Sequence, residues 1–213
     1  MSEVLEDYAL HEKLQRKGTL QKVGIVGCGS VGQEITRVIS KAGIDVVFID
    51  VSEERVKEIM LSINQQLDEI IDRWGLTESE KRAMLSRIKG STDFKDLADC
   101  NLVMETISSN RPGTSLELRK EIFRKIEENI SKETIITSNI STLMISDLAS
   151  VLNYPDRAVG MHFMIPPSTV KIVEVVRGLK TSPYAYEFVC RFATMIGKRV
   201  ITVNESPGNI STR

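Results

Sequence analysis

A cluster of glycines near the start of the chain has the spacing of a phosphate-binding loop, Gly27-Cys28-Gly29-Ser30-Val31-Gly32. An apolar stretch precedes it and a stretch with helical spacing follows it, as such a loop requires. Gly27 would make the tight turn, Gly29 would let the backbone approach a pyrophosphate, and Gly32 would let the helix pack on the strand. The helix N terminus would offer free N–H groups to the phosphates. The pattern therefore predicts that residues 27–32 bind a dinucleotide.

An acid at the end of the next predicted strand, Asp50 in Val46–Asp50, follows the loop by about 20 residues. At that spacing the carboxylate is expected to bind the hydroxyls of the adenosine ribose and to repel a 2′-phosphate. NAD is therefore predicted over NADP, although Arg55 follows shortly after. The alternative is that Asp50 only ends the strand in a turn.

A histidine and a glutamate on two later apolar strands are the candidates for acid–base chemistry. His162 ends Ala158–Phe163, and Glu174 lies within Val170–Val176. Histidine suits proton transfer because its ordinary pKa is near neutral pH. The turn at Pro166-Pro167 should bring Glu174 beside His162, where it would hold one imidazole nitrogen and leave the other as a base. The alternatives are a core histidine and a glutamate that faces water.

The elements that must position these residues alternate between strand and helix. This order indicates βαβ units, hence an α/β fold of the Rossmann type, a doubly wound and mainly parallel sheet with helices on both faces. Thr77 and Glu80 form a predicted capping box. The other predicted elements are strands Val23–Gly27, Leu102–Glu105, Thr134–Thr137 and Arg199–Val203, and helices Val31–Ala42, Glu53–Trp74, Leu116–Glu128 and Tyr184–Ile196.

Composition narrows the classes of function. The 213 residues are 41% hydrophobic and 27% charged with a net charge of −1, which favours neither nucleic acid nor an anionic membrane as a partner. No apolar run is long enough for a membrane helix, and the N terminus is unlike a signal peptide. Cys28, Cys100 and Cys190 are predicted to be free thiols in the cytoplasm, and no metal site is expected. A bulky adduct on Cys28 would be expected to block the cofactor.

The motifs together resemble the 3-hydroxyacyl-CoA dehydrogenase family, including bacterial 3-hydroxybutyryl-CoA dehydrogenases. The resemblance runs from Val23 to Arg213. It depends on VGIVGCGSVG, VVFIDVSEERV, TSNIST, GMHFMIPPSTVKIVEVVRG and VNESPG. It implies an NAD-dependent oxidoreductase of fatty acid metabolism that oxidises a 3-hydroxyacyl-CoA or reduces the 3-oxo form.

The resemblance also implies roles for single residues. His162 is similar to the family's catalytic histidine, Glu174 to its paired glutamate and Ser141 to the serine that contacts the substrate hydroxyl. Asn139 and Arg73 are assigned to the substrate, Arg73 near coenzyme A. Arg119 stands where the family has a lysine that contacts the cofactor, and Glu105 is assigned to the cofactor as well.

The chain departs from the family pattern around the nicotinamide and the substrate. Ile165 and Thr212 replace asparagines, Ile140 replaces a threonine, and a glutamate is lost within the longer segment 108–114. Two alternatives therefore stay open. One is the same chemistry on another 3-hydroxy acid or on a carrier-protein thioester, and the other is a regulatory module that binds nicotinamide without turnover.

The expected domain organisation is a helical extension over 1–20, the NAD-binding domain over 21–205, and the start of a linker over 206–213. In the family a helical second domain follows, closes the active site and usually forms the dimer. The full-length protein is therefore expected to be a homodimer, and the predicted free thiols indicate the cytoplasm.

Overall fold

The computed structural model describes residues 20–107, 116–139 and 141–206. Eight strands form one sheet. In chain order they are β1 (Lys22–Val26), β2 (Asp45–Ile49), β3 (Ile88–Ser91), β4 (Leu102–Glu105), β5 (Ile135–Ser138), β6 (Ala158–Phe163), β7 (Ile172–Arg177) and β8 (Arg199–Asn204).

The strands are ordered β3-β2-β1-β4-β5-β6-β7-β8 across the sheet. The first six strands in this order, from β3 to β6, are parallel to one another. Strand β7 is antiparallel to β6, and β8 is parallel to β7. The order reverses between β1 and β4, so the connections diverge there and leave a crevice at the carboxyl ends of the strands. Ligands of open α/β sheets bind at such a crevice.

Helices cover both faces of the sheet. They are α1 (Ser30–Lys41), α2 (Glu53–Asp72), α3 (Glu78–Leu85), α4 (Leu116–Asn129), α5 (Ile145–Ala149) and α6 (Pro183–Met195), with one-turn 3₁₀ helices at Phe94–Leu97 and Pro155–Arg157. The buried side chains of α1, α2, α3 and α6 belong to one hydrophobic core, and those of α4 and α5 to a second core on the opposite face. None of the helices in the described ranges is long and apolar enough to cross a membrane.

The predicted fold class is confirmed. The bounds of β4 and β6 are those predicted, and Thr77 and Glu80 form the capping box. Four elements were not predicted, namely β3, α5 and the two 3₁₀ helices. The prediction that α2 extends to Trp74 is wrong, because the helix ends at Asp72 and the Trp74 side chain is 97% exposed with a φ of 58°. Residues 1–19, 108–115, 140 and 207–213 lie outside the described residues, so the predicted extension and linker are not addressed by this structure.

Candidate cofactor and catalytic site

The glycine-rich loop lies at the crevice, between β1 and α1. Gly27 has a φ of 84°, and its N–H donates to Ile49 O at 3.0 Å. A Cβ at Gly27 would lie 2.5 Å from Ile107 Cγ1, so a larger residue would be strained in backbone and side chain alike. At Gly32 a Cβ would lie 2.9 Å from Gly27 O and 2.8 Å from Thr106 Oγ1. The first and third glycines are therefore required by the turn and by the packing of α1 on β1.

The second glycine faces open space. A Cβ at Gly29 would have no atom within 4 Å, and Gly29 is the N-cap of α1 without a side-chain hydrogen bond. The N–H groups of the first turn, at Ser30, Val31 and Gly32, have no partner within the helix. An open approach to unpaired N–H groups at a helix N terminus fits a pyrophosphate.

Asp50 follows β2 and is fixed against the same loop. Its Oδ2 accepts the N–H of Cys28 at 3.0 Å, and its Oδ1 accepts the N–H of Val51 at 2.9 Å. Each carboxylate oxygen has a further lone pair, so the ribose hydroxyls can still donate to it. Arg55 pairs with Glu58 at 3.0 Å on the surface of α2. The loop therefore orients Asp50 before any ligand binds.

The Cys28 side chain points away from this site. It is fully buried beside Thr36, with 3.8 Å between the sulfur and Thr36 Oγ1. Burial raises the pKa of the Cys28 thiol to about 12. Burial therefore limits the formation of an adduct on Cys28 in the folded protein, and the effect of such an adduct on the cofactor stays a prediction. The backbone N–H of Cys28 contributes to the loop by donating to Asp50.

The three thiols should differ in reactivity with a maleimide. Cys28 and Cys100 are buried with pKa values raised to about 12, whereas Cys190 is half-buried. Because the thiolate is the nucleophile, we expect Cys190 to be modified first in the native protein and Cys28 only after unfolding. Peptide mapping with and without NADH measures this, and Cys190→Ser is the control. An adduct on native Cys28 that NADH prevents would contradict the buried orientation.

The strands β6 and β7 bring His162 and Glu174 together. The two residues are direct partners in the antiparallel register, and His162 Nδ1 lies 3.0 Å from Glu174 Oε2. The Glu174 side chain is 1% exposed and that of His162 is 13% exposed. Since an ionised carboxylate only accepts hydrogen bonds, Nδ1–H donates, and in the neutral ring the lone pair is then on Nε2. The alternative of a glutamate that faces water is wrong.

The turn after His162 is fixed by hydrogen bonds from Lys198 and to Glu34. Lys198, which is 5% exposed, donates from Nζ to Val170 O at 2.6 Å and also to Pro167 O. Burial lowers the pKa of Lys198. Ser168 donates from its N–H and hydroxyl to Glu34 on α1, at 3.1 and 2.8 Å. The turn thus lies against the helix of the phosphate loop, and Ile165 within it is 73% exposed.

The predicted substrate residues Asn139 and Ser141 follow β5 at the same edge of the sheet. Asn139 is half-buried, and its Oδ1 accepts the N–H of Phe163 at 2.8 Å, which ties the end of β5 to the end of β6. Ser141 is half-buried in the segment after Asn139. Both residues thus lie at the edge that holds His162, while their roles stay predictions.

Glu105 and Arg119, both assigned to the cofactor, form a buried ion pair. Their side chains are 0% and 2% exposed, and Arg119 Nη1 donates to Glu105 Oε1. The two charged groups therefore face each other at the end of β4, and their roles toward the cofactor stay predictions.

Arg73 is exposed at the C-terminal end of α2, where it lines a groove of about 830 Å³ between α1, α2 and α3. The groove extends from Ser30 of the phosphate loop to Ser168 of the turn after His162. Its cationic lining residues are Arg37, Lys41, Arg55 and Arg73. Burial lowers the pKa of Arg37, and its Nε has no hydrogen-bond partner among the described residues. The groove also contains the carboxylates of Glu34, Glu58 and Glu69, so its cationic side chains lie among acidic ones next to both halves of the site.

Two groups of residues at the site were not predicted from sequence. Thr106 and Ile107 form a wall against Gly27, with the Thr106 hydroxyl donating to Gly27 O at 2.6 Å. Lys198 follows a helix and has the sequence context of a solvated charge. Only the polar Thr106 directly after a buried strand was a usable signal, since strand ends face the crevice. Within residues 20–107, 116–139 and 141–206 no cluster of His, Cys, Asp and Glu could hold a metal ion.

The fold and the loop define a dinucleotide-binding domain of the dehydrogenase class. Residues 22–206 match the family described as 3-hydroxyacyl-CoA dehydrogenase, NAD binding domain, and the chain belongs to this family. The predicted family and the predicted cofactor NAD are thereby confirmed.

Relatives with assigned names cover nearly all of the chain. A 3-hydroxybutyryl-CoA dehydrogenase of Bradyrhizobium diazoefficiens is 35% identical over 91% of this chain and 64% of its own length. A probable 3-hydroxybutyryl-CoA dehydrogenase of Deinococcus radiodurans is 33% identical over 90% of this chain and 67% of its own. The crystal structure of (S)-3-hydroxybutyryl-CoA dehydrogenase from Ralstonia eutropha superposes with a TM-score of 0.84 at 35% identity, over 90% of this chain and 66% of that one. The chain thus spans about two thirds of the length of these relatives.

Proposed function

We propose that this chain is the cofactor-binding part of an NAD-dependent dehydrogenase that interconverts a 3-hydroxyacyl-CoA and its 3-oxo form. The proposal depends above all on one observation, the 3.0 Å contact between His162 Nδ1 and a buried Glu174 at the carboxyl edge of the sheet. The names of the relatives add support for the substrate class. The proposal includes a cytoplasmic homodimer for the full-length protein.

In the proposed reaction the chain's own residues handle the proton. Glu174 accepts the hydrogen bond of Nδ1–H, which leaves Nε2 of His162 to take the proton of the substrate hydroxyl and to return it in the reverse direction. Glu174 also stabilises the imidazolium that results. Ser141 is proposed to hold the hydroxyl. NAD, when bound, accepts the hydride that leaves the substrate carbon bearing this hydroxyl.

The proposed position of coenzyme A is the groove along α1 and α2. Coenzyme A bears phosphates, and the guanidinium groups of Arg37, Arg55 and Arg73 suit them. Arg73 is the residue that the family resemblance assigns to this part of the substrate. The same groove would also admit the phosphopantetheine arm of a carrier protein. A carrier-protein thioester therefore remains a second candidate substrate.

An activity screen of the full-length protein tests the function. We expect NAD-linked oxidation of 3-hydroxybutyryl-CoA, no activity with free 3-hydroxybutyrate at the same concentration, and little activity with NADP. Formation of NADH is followed by absorbance. Preference for a carrier-protein thioester would replace the substrate but keep the chemistry. Tight binding of NADH without turnover on any of the three substrates would contradict the proposal and favour the regulatory module.

A further inference from the structure

Arg119, on the first turns of α4, donates hydrogen bonds beneath the phosphate loop. Its Nη2 donates to Ile107 O at 2.7 Å, and its Nη1 donates to Glu105 Oε1. The same Glu105 Oε1 accepts the N–H of Ile107 at 2.7 Å. Glu105 therefore accepts a hydrogen bond from the N–H of Ile107, and Arg119 donates one to its C=O. The two charged residues thus fix both backbone polar groups of Ile107.

Glu105 is itself anchored to the neighbouring strand. It is the last residue of β4, and Ser138 at the end of β5 is its register partner and donates to Oε2 at 2.6 Å. The backbone O of Glu105 accepts the N–H of Asn139 at 2.9 Å. The buried carboxylate thus accepts hydrogen bonds from Ser138, Ile107 and Arg119, which together satisfy its charge in this position.

Ile107 and the preceding Thr106 form the wall against the phosphate loop. Thr106 donates its N–H to Val26 O at 2.9 Å and its hydroxyl to Gly27 O at 2.6 Å. Ile107 lies so close to Gly27 that an added Cβ would be 3.2 Å from Ile107 Cα. The position of Gly27 in its left-handed turn therefore depends on where Thr106 and Ile107 stand.

We propose that Glu105 and Arg119 are positioning residues, which set the affinity for NADH by holding Thr106 and Ile107 against Gly27 without touching the cofactor. This inference depends on the proposed function only in that the loop binds NADH. It assigns to Arg119 a different role from that of a direct cofactor contact. The two roles make opposite predictions for one substitution, because the family resemblance places a cofactor-contacting lysine at this position.

The test is Arg119→Lys, with Arg124→Lys as the matched control, since Arg124 is exposed on the same helix. A lysine ammonium is one point donor and cannot reproduce the planar fork that reaches both Glu105 and Ile107 O. We expect NADH binding by calorimetry to weaken about tenfold, which is the size of one lost hydrogen bond that involves a charged group. We also expect amide hydrogen exchange at Ile107 to become faster in the absence of any cofactor, while Arg124→Lys changes neither quantity. Glu105→Gln should act in the same direction and serves if Arg119→Lys does not fold.

Each outcome decides the matter. Unchanged or tighter NADH binding by Arg119→Lys overturns the proposal, as does weaker binding with unchanged exchange at Ile107, which would indicate direct contact. Faster exchange with unchanged NADH affinity also overturns it, because the wall would then not control the loop. If the unmodified protein itself fails to bind NADH, the proposed function fails, while the exchange measurement still reports whether the two residues hold Ile107.

Discussion

Glu174→Gln and His162→Ala should each reduce turnover of the full-length enzyme by about a hundredfold or more. The amide introduced by Glu174→Gln keeps the shape of the side chain but not its charge, so it holds the imidazole less firmly and stabilises the imidazolium less. NADH affinity should change little for either variant, because neither side chain belongs to the phosphate loop. The double variant should lose no more activity than His162→Ala alone, since both residues act through one ring.

A double-mutant cycle on the turnover number, with thermal unfolding followed in parallel, measures this. Glu187→Gln is the control, because Glu187 is exposed on α6 and the substitution removes the same charge. Losses that add up, or that follow the loss of stability, would show that the pair is structural. Glu174 at 1% exposure could fill that structural role, so the stability measurement is essential.

The unmodified protein should bind NADH more tightly than NADPH by roughly two to three orders of magnitude. Two like charges about 4 Å apart at an effective dielectric near 20 repel by about 4 kcal/mol, and the hydrogen bonds from Cys28 and Val51 prevent Asp50 from turning away. Asp50→Asn removes this repulsion. It should weaken NADH binding and strengthen NADPH binding, with Arg55 free to exchange its surface pair with Glu58 for the 2′-phosphate.

Titration of NADH and NADPH into the unmodified protein and into the Asp50→Asn variant gives the four affinities needed. Asp45→Asn is the matched control, because Asp45 is an exposed acid at the opposite end of the same strand β2. Equal affinities for NADH and NADPH in the unmodified protein would reduce Asp50 to a residue that braces the loop.

Sequence patterns predicted the elements whose residues specify them locally. β6 is a run of apolar residues that ends in a proline-rich turn, and the helix after the loop has regular apolar spacing. β3 has no such signal, because its four residues include Gly90 and only Ile88 is buried. Gly90 is needed there for contacts that the sequence does not reveal, since an added Cβ would lie 2.6 Å from Phe48 Cζ. Tertiary packing specifies this strand.

The same distinction applies to the candidate site. The approach of Glu174 to His162 could be predicted because a short turn and the period of two along a strand determine it. The direction of the Arg119 side chain could not be predicted. It depends on contacts with Glu105 and Ile107, which lie near the end of β4, whereas Arg119 lies on α4. The orientation of Cys28 likewise follows from the packing of α1 against β1 and has no signature in the motif.

The hairpin-like return of β7 onto β6 has a consequence for how the site assembles. His162 and Glu174 are separated by 12 residues, whereas Thr106 and Gly27 are separated by 79. Closing a short loop costs less chain entropy than closing a long one, and short-range contacts form faster. The pair proposed to handle the proton is thus formed by residues close together in the chain, whereas the contact of Thr106 with Gly27 requires distant parts of the sheet to have joined. We therefore expect the contact between His162 and Glu174 to form earlier in folding than the contact between Thr106 and Gly27.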